Sequence, residues 1–580
     1  MKTFAGVTIS PGYAEGPIHV HRPAAFEAPE RRTIAKSEVA GNLKALRQAM
    51  ARAKEDLEKA QGKLAGNMVD PSAAHIFHAH LLILDDPAWV DEIEKRVREE
   101  HLEAISAVQE VTEVLAARFA GMKNAYLRER TIDLHDVARR VMIHLSPKLA
   151  QPLADLGEPS ILVAKSLLPS DMVHLDRMNT LAIVTEEGGV SDHVAVVTRS
   201  LGIPGVTGVK GITQQLSDGA AGIVDGHGGK LLVAVSEGAR RRYQALIRRE
   251  VEERHALEAL RDEPAVTLDG HRVALWANIG DSDDAKRAKM FGAEAIGLFR
   301  TELNFLQSIR HPTESAQLQA YRSMAKAAGN VALTIRTLDL GGDKQLNYAM
   351  DAAPESNPLL GRRGIRRSLE EPKVLRRQIR ALLRLAADHE VRILLPMIVS
   401  VSDVVRTREE IAIASGELQR AGREHRADVP VGIMVETPAA VMIIEDLLPH
   451  CDFVSVGTND LIQYLLVADR ADPRTREHHT LLHPAVLRAL RSVSVAAREA
   501  DVPLCLCGEL AGFPGMTSLL LGLGYTTLSV VPAEIPRLKR EIRALRLADC
   551  EQLAEDTVRM SMRGAIEGTV QARHSPTDAE

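Results

Sequence analysis

Between residues 273 and 531 eight short apolar, β-branched-rich runs recur, and most of them end in an Arg, Asp, Glu or Cys that a buried strand avoids. They are VALWANI (273–279), AIGLFR (295–300), VALTIRTLDLG (331–341), VRILLPMIV (391–399), PVGIMVET (430–437), DFVSVGTND (452–460), PLCLCGE (503–509) and TTLSVV (526–531). Helical stretches separate nearly all of them, so consecutive strands are expected to be parallel, joined by right-handed crossovers and buried on both faces. Eight such units predict a TIM (β/α)8 barrel, the fold in which the C-terminal strand ends build the active site. Arg300, Arg336, Asp339, Glu436, Asn459, Asp460 and Cys507 fall at those ends.

With 580 residues the chain is too long for one core, and two to four domains are expected. Lys and Arg number 72 against 78 Asp and Glu, a net charge of −6 that argues against a general nucleic-acid binder, since neutralising phosphates needs a basic face. The four cysteines, Cys451, Cys505, Cys507 and Cys550, all lie in the second half and form no disulfide framework, which suits a reducing compartment. The opening MKTFAGVTIS lacks the apolar core of a signal peptide, and no stretch is long and apolar enough to span a bilayer. The expectation is a soluble cytoplasmic protein, with neither nucleic acid nor membrane as partner.

Ahead of the barrel, residues 1–20 are strand-like and punctuated by Gly and Pro, whereas 36–120 are helical. Leu43, Leu46, Met50, Ala53, Leu57, Ala60 and Leu64 alternate three and four apart, the seam of a helix packed along its length on another. Ile105, Val108, Val111, Leu115 and Phe119 give a second helical block, 98–119, its facing stripe. From about residue 158 the pattern returns to strands, in ILVAKSLLP, TLAIVTEE and GIVDGHGGKLLVAV. The fold class predicted is therefore a multidomain α/β chain. Residues 1–20 and 146–232 make a small α/β domain, a helical hairpin domain (30–145) is inserted into it, a charged helix (233–262) follows, and the barrel occupies 263–570.

Residues 186–208, EEGGVSDHVAVVTRSLGIPGVTG, form the second informative segment. Gly188 and Gly189 permit a tight turn, Ser191 or Asp192 can cap, and VAVVTRSL reads as a short helix closed by Gly202 and Pro204. His193 then sits in the first turn of a helix, where backbone N–H groups and the macrodipole favour a phosphoryl group on its ring. Read locally, His193 is equally one of 21 histidines at an ordinary loop-to-helix junction. His75, His78 and His80 lie close together, but a structural metal site needs about four convergent ligands and no Cys is near, so a helix face near a docking surface is the better reading. No G-x-x-x-x-G-K-[ST] occurs, which leaves nucleotide binding by a P-loop unsupported.

Taken together, GVTISPG, the GG-x-x-x-H segment, FRTE (299–302), RTLDLGGDK (336–344), NPLLGRRGIR (357–366), MVETPAA (434–440), VGTNDLIQY (456–464), ADR (468–470) and CGELAG (507–512) resemble the phosphoenolpyruvate-protein phosphotransferases, enzyme I of the bacterial sugar phosphotransferase system. The resemblance runs through essentially the whole chain. It implies that the α/β domain swivels and carries the phosphohistidine, His193, which takes phosphate from phosphoenolpyruvate and passes it to a histidine of a small phosphocarrier protein docked on the helical domain. It also implies a homodimer through the barrel. Phosphoenolpyruvate carries about three negative charges near neutral pH, so it calls for several cations plus a metal. Arg300, Arg336, Arg363, Arg470 and Lys344 supply the cations, with Arg favoured for bidentate contact with carboxylate and phosphate oxygens. Glu436 and Asp460 offer two hard oxygen ligands for Mg2+, and Asn459 is placed to hold the phosphate from the side.

After transfer the leaving enolpyruvate must be protonated at C3, and a thiol with an ordinary pKa near ~8.5 can do this. Spacing alone does not choose between Cys505 and Cys507, which share a face of a regular strand. The resemblance to CGELAG selects Cys507. Asp339 and Asp343 are expected to orient Arg336 and Lys344 without touching substrate. Two departures from the family pattern stand out: Ser191-Asp192 where the family has Thr-Ser or Cys/Ser before the histidine, and a highly charged stretch, 471–485, after Arg470. The competing readings are a phosphoenolpyruvate synthase or pyruvate phosphate dikinase relative, and a non-catalytic regulatory paralogue.

Overall fold

The computed structural model describes residues 1–21, 31–67, 80–81, 83–120, 125–146, 158–167, 175, 179–188, 194–195, 198–199, 202–302, 305, 311–340, 357–469, 475, 478–513 and 515–574. They form two compact units that divide between Glu253 and Arg254, inside a charged helix, Glu237–Ala259.

In the first unit, β1 (Lys2–Ala5), β2 (Val7–Ser10) and β3 (Tyr13–His21) interleave with β4 (Ser160–Ala164), β5 (Thr180–Thr185), β6 (Gly205–Thr207), β7 (Ala221–Asp225) and β8 (Lys230–Val233). The sheet order is β1-β8-β7-β3-β4-β5-β6-β2. β3 pairs antiparallel with β7 through Tyr13–Pro17 and then parallel with β4 through Ile18–His21. Pro17, which has no N–H to give a ladder, stands where one partner hands over to the other. The sheet is buried on both faces. Ile161, Val163, Ala182 and Val184 pack in one core, while Leu162, Ala164 and Ile183, alternating with them, join a second core with the helices.

Those helices are Val39–Asn67, Pro87–Glu99, Ala104–Ala120 and Ala125–Leu145, two more long helices than the predicted stripes accounted for. Leu46, Ala53 and Leu57 are fully buried along the first, with Leu43 and Met50 partly so. The block expected over 98–119 starts only at Ala104, because His101 takes a left-handed conformation (φ 53°) that ends the preceding helix. His80 is fully buried, with Nε2 3.2 Å from Asp133 Oδ1 and Nδ1 3.7 Å from Asp136 Oδ2. It is thus an interior residue and not part of an exposed docking face; His75 and His78 lie outside the described residues.

The second unit is a closed parallel barrel. β10 (Arg272–Ile279), β11 (Ile296–Arg300), β12 (Leu333–Arg336), β13 (Val391–Leu395), β14 (Val431–Val435), β15 (Phe453–Val456), β16 (Leu504–Leu506) and β17 (Thr527–Val530) pair in sequence, and β10 joins both β11 and β17 to close the ring. A short β9 (Ala265–Val266) adds to β10 antiparallel. Residues facing outward from the strands, such as Ile335, Ile393, Ile433 and Val454, form one core with the surrounding helices. Leu298, Leu394, Met434, Phe453 and Cys507 fill a separate cluster, the layered packing expected inside such a barrel. Every strand but β10 is shorter than the apolar run that predicted it: the polar tails of the runs are the loops and helix starts at the C-terminal rim. Among the described residues no helix is long and apolar enough to cross a membrane.

Candidate active site at the C-terminal rim of the barrel

Arg300 and Arg336 end adjacent strands in register. Arg336 is 5% exposed and donates from Nη2 to Glu302 Oε1 at 2.5 Å, with Asp339 Oδ2 3.3 Å from the same nitrogen. Behind them, Gln378 Oε1 accepts from Leu338 N at 3.0 Å while its Nε2 donates to Thr301 Oγ1 and Tyr321 Oη, both 3.2 Å. Thr301 Oγ1 in turn donates to the Arg336 carbonyl at 3.0 Å, so buried hydrogen bonds fix the exits of β11 and β12.

Arg363 crosses the rim. It donates from Nε and Nη2 to the two oxygens of Asp339, at 3.2 and 3.1 Å, and from Nη1 and Nη2 to those of Asp460, at 3.1 and 3.0 Å. Nη1 also reaches Tyr464 Oη at 3.1 Å, and that hydroxyl donates to Leu359 O at 2.6 Å. Burial alone would make Arg363 and Arg336 easier to deprotonate. Asp339 and Asp460 around the first, and Glu302, Asp339 and Glu436 around the second, outweigh it and hold both guanidiniums charged. The expected orienting role of Asp339 is seen for Arg336 and extends to Arg363.

Glu436 follows β14, and its Oε1 accepts from Met397 N at 2.7 Å. That amide is presented by a left-handed Met397 (φ 58°), a conformation costing about 1–2 kcal/mol, which a hydrogen bond to a carboxylate can offset. Gly364, itself at φ 58°, leaves room: a Cβ there would meet Met397 Cβ at 2.7 Å. The next residue, Thr437, anchors the turn by donating to Ile398 O at 2.7 Å and accepting from Ala440 N at 3.1 Å.

Cys507, just beyond β16, is 4% exposed and points its Sγ toward Val456 O at 3.5 Å. Burial pushes its thiol up to about 11, Glu436 adds to the rise, and Arg336 and Arg300 draw it back. It remains a protonated thiol at neutral pH, though a weaker acid than an exposed cysteine. Burial likewise raises Cys505 well above the ordinary range, with Cys507 adding to it. Gly508 is packed so closely on Thr458 that a Cβ would lie 1.5 Å from Thr458 Oγ1.

The rim therefore brings together Arg336, Arg363, Glu436, Asp460 and Cys507. Arg300 lies at the same rim, exposed, and Asn459 is half-buried beside Asp460, with its carbonyl accepting from His479 Nε2 at 3.0 Å. Lys344, Arg470, Asp343, Asp192 and His193 lie outside the described residues. Next to His193, Val194–Ala195 and Thr198–Arg199 are helical and Gly202 N caps back to Arg199 O at 3.0 Å, as the short helix there predicts. The sequence reading missed Glu302, Gln378, Tyr464 and Asn278. Glu302 and Tyr464 carried a signal, since they close FRTE and VGTNDLIQY, two of the motifs that follow strands.

The donor set suits a divalent cation. Among the described residues, Glu302, Asp339, Glu436 and Asp460, all under 10% exposed, share two buried guanidiniums, Arg336 and Arg363. Burial first, then Asp460 and Asp339, raise the Glu436 carboxyl well above its usual range, and a cation would relieve this excess of negative charge. Two carboxylates fit Mg2+, which takes one or two from protein and completes its shell with water and substrate oxygens. Among the described residues no group of three or more metal-ligating side chains occurs.

Three family models match in order: PEP-utilising enzyme, N-terminal, over residues 5–130; PEP-utilising enzyme, mobile domain, over 156–229; and PEP-utilising enzyme, PEP-binding domain, over 254–547. The phosphoenolpyruvate-protein phosphotransferase of Staphylococcus carnosus is 35% identical over 511 residues, 88% of this chain and 89% of its own. That of Staphylococcus epidermidis is 34% identical over 563 residues, 97% of each, and that of Bacillus subtilis 35% over 532 residues, 92% of this chain and 93% of its own. With identity at this level over nearly the whole chain and all three family segments present in order, the chain belongs to the phosphoenolpyruvate-protein phosphotransferase family.

Proposed function

We propose that this enzyme moves the phosphoryl group of phosphoenolpyruvate to its own His193, releases pyruvate, and passes the group to a histidine of a small phosphocarrier protein, the first step of sugar uptake by the phosphotransferase system. The observation that carries this reading is the rim itself: two buried guanidiniums, an excess of buried carboxylates and a protonated thiol at the C-terminal ends of barrel strands. The names and coverage of the relatives favour it over the synthase or dikinase reading.

In this account Arg300, Arg336, Arg363, Lys344 and Arg470 hold the carboxylate and phosphate of the substrate, and Asn459 steadies the phosphate from the side. Glu436 and Asp460 would hold Mg2+, which when bound supplies a Lewis acid for the phosphoryl oxygens. His193, with a neutral ring nitrogen, attacks phosphorus in line, while the fixed guanidiniums hold the charge of the transferring group; positioning and electrostatics supply most of the acceleration. Cys507 gives its proton to C3 of the departing enolpyruvate. Residues 1–20 and 146–232 carry the phosphohistidine and swivel about the 233–262 helix, residues 30–145 receive the carrier, and residues 263–570 bind phosphoenolpyruvate and form a homodimer.

The test is pyruvate release with catalytic enzyme and excess phosphocarrier. Wild type should form pyruvate in proportion to the carrier supplied, and His193→Ala should form none. Pyruvate production by His193→Ala at the wild-type rate would sink the reading.

A further inference from the structure

Cys507 is held by side chains from the opposite side of the barrel seam. Asn278, on β10, is 6% exposed and uses both amide hydrogens: Nδ2 donates to the Cys507 carbonyl at 3.0 Å and to the Ser529 carbonyl at 3.1 Å. Its Oδ1 accepts from Ser529 Oγ at 2.7 Å, and Ser529 is fully buried on β17. Since β17 lies between β16 and β10, the Asn278 amide spans a whole strand to reach Cys507. On the other side the Cys507 N–H donates to Val456 O of β15 at 3.0 Å. Its peptide is thus fixed from both neighbours, while Thr458 packed against Gly508 blocks the exit. An asparagine inside a barrel costs free energy unless all its hydrogen bonds are made. Here both donors and the oxygen are used, one donor on the Cys507 carbonyl and the rest of the amide on Ser529, which holds it in place.

We infer that Asn278, supported by Ser529, is a positioning residue that aims the Cys507 thiol at one face of the enolpyruvate C3. The inference rests on the reading of Cys507 as the acid. In that step the S–H bond breaks and a C3–H bond forms from the C2–C3 π pair. The C2–O bond becomes the ketone of pyruvate, and the thiolate left behind takes a proton from water. The direction of approach is set by the Cys507 backbone, so loss of the Asn278 bond should first blur which face receives the proton. Binding of phosphoenolpyruvate, which uses the arginines across the rim, should change little.

The experiment uses full-length enzyme with its carrier in deuterated water, and phosphoenolpyruvate carrying protium and tritium at C3 in one defined geometry about the double bond, so that protonation creates a chiral methyl group. It reads the handedness of the pyruvate methyl group together with kcat and KM for wild type, Asn278→Asp, Asn278→Ala, Ser529→Ala, Cys507→Ala and the double variant Asn278→Asp/Cys507→Ala. Asn278→Asp keeps the shape and removes both donors, so it and Ser529→Ala report even if Asn278→Ala does not fold. Wild type should protonate one face. Asn278→Asp should give mixed handedness and a kcat about 10- to 100-fold lower, with KM within about twofold, and Ser529→Ala a weaker form of the same change. In the Cys507→Ala background Asn278→Asp should add nothing. Single-face protonation at the wild-type rate in both Asn278→Asp and Ser529→Ala, alongside a defective Cys507→Ala, overturns the inference alone. A Cys507→Ala enzyme with normal rate and handedness overturns the acid assignment and the inference with it.

Discussion

His80, bracketed by Asp133 and Asp136 in the helical part of the first unit, and Arg363, bracketed by Asp339 and Asp460 at the barrel rim, are each buried between two carboxylates. Their surroundings differ. Leu134, Val137 and Ala138, on the helix that carries both aspartates of the first cluster, are buried in the core formed by the helices. The second stands at the C-terminal ends of barrel strands, where, among the described residues, Glu302, Asp339, Glu436 and Asp460 gather around Arg336 and Arg363. The same residue types are thus packed among helices in one unit and set at the active-site end of a barrel in the other, and their place in the fold is what tells them apart.

The comparison is broken most sharply at Glu436. Glu436→Gln keeps an acceptor for Met397 N but removes one charge from the over-acidic rim. Turnover should fall about 1,000-fold, roughly 4 kcal/mol, while the melting temperature holds or rises; a clear loss of stability would mean that the rim is structural like the His80 cluster. Next comes Gly508→Ala, whose Cβ collides with Thr458 Oγ1 and so displaces Cys507. Pyruvate formation should drop about 10- to 100-fold, and adding Thr458→Ala should restore part of it; a double variant no better than the single one removes the steric explanation. In the other cluster, Asp136→Leu leaves His80 with one carboxylate fewer and should lower stability by about 1–3 kcal/mol in urea denaturation. Autophosphorylation per folded molecule should stay unchanged, and a selective loss of it would move that cluster into the machinery.

The smallest effect concerns the thiols. Burial raises the pKa of all four cysteines, Cys507 to about 11. A folded-state pKa above the unfolded one keeps the proton on, so Cys507 stays a competent acid through neutral pH and is lost only as pH climbs toward about 11. The native enzyme should accordingly react slowly with a thiol reagent at pH 8, and all four cysteines promptly once it is unfolded. Fast native modification of Cys507 at pH 8 would contradict this.

The barrel was legible because each strand combines an apolar run with a polar end, and the rim residues Arg336, Glu436, Asp460 and Cys507 were legible because those ends are the wrong chemistry for a core. The lengths of the strands were not: Leu338 and Thr458 continue the apolar or β-prone pattern, yet the first belongs to a loop and the second opens a helix, Thr458–Leu466. Asn278 and Gln378 escaped notice since a lone amide in an apolar stretch has no periodic signature, and only the folded barrel brings the first against the Cys507 and Ser529 carbonyls and the second against Leu338 N and the Thr301 and Tyr321 hydroxyls. His80 failed in the opposite sense. Three clustered histidines suggested a surface, but the partners that bury His80 lie on a helix some fifty residues downstream.

The most direct measurement is phosphopeptide mapping after brief exposure of the enzyme to labelled phosphoenolpyruvate and Mg2+ without carrier. The account predicts one acid-labile, base-stable phosphoryl group per chain, on the peptide that contains His193, formed together with one pyruvate and absent from Glu436→Gln under the same short exposure. Label on any other residue, or pyruvate formed with no labelled peptide, would contradict it.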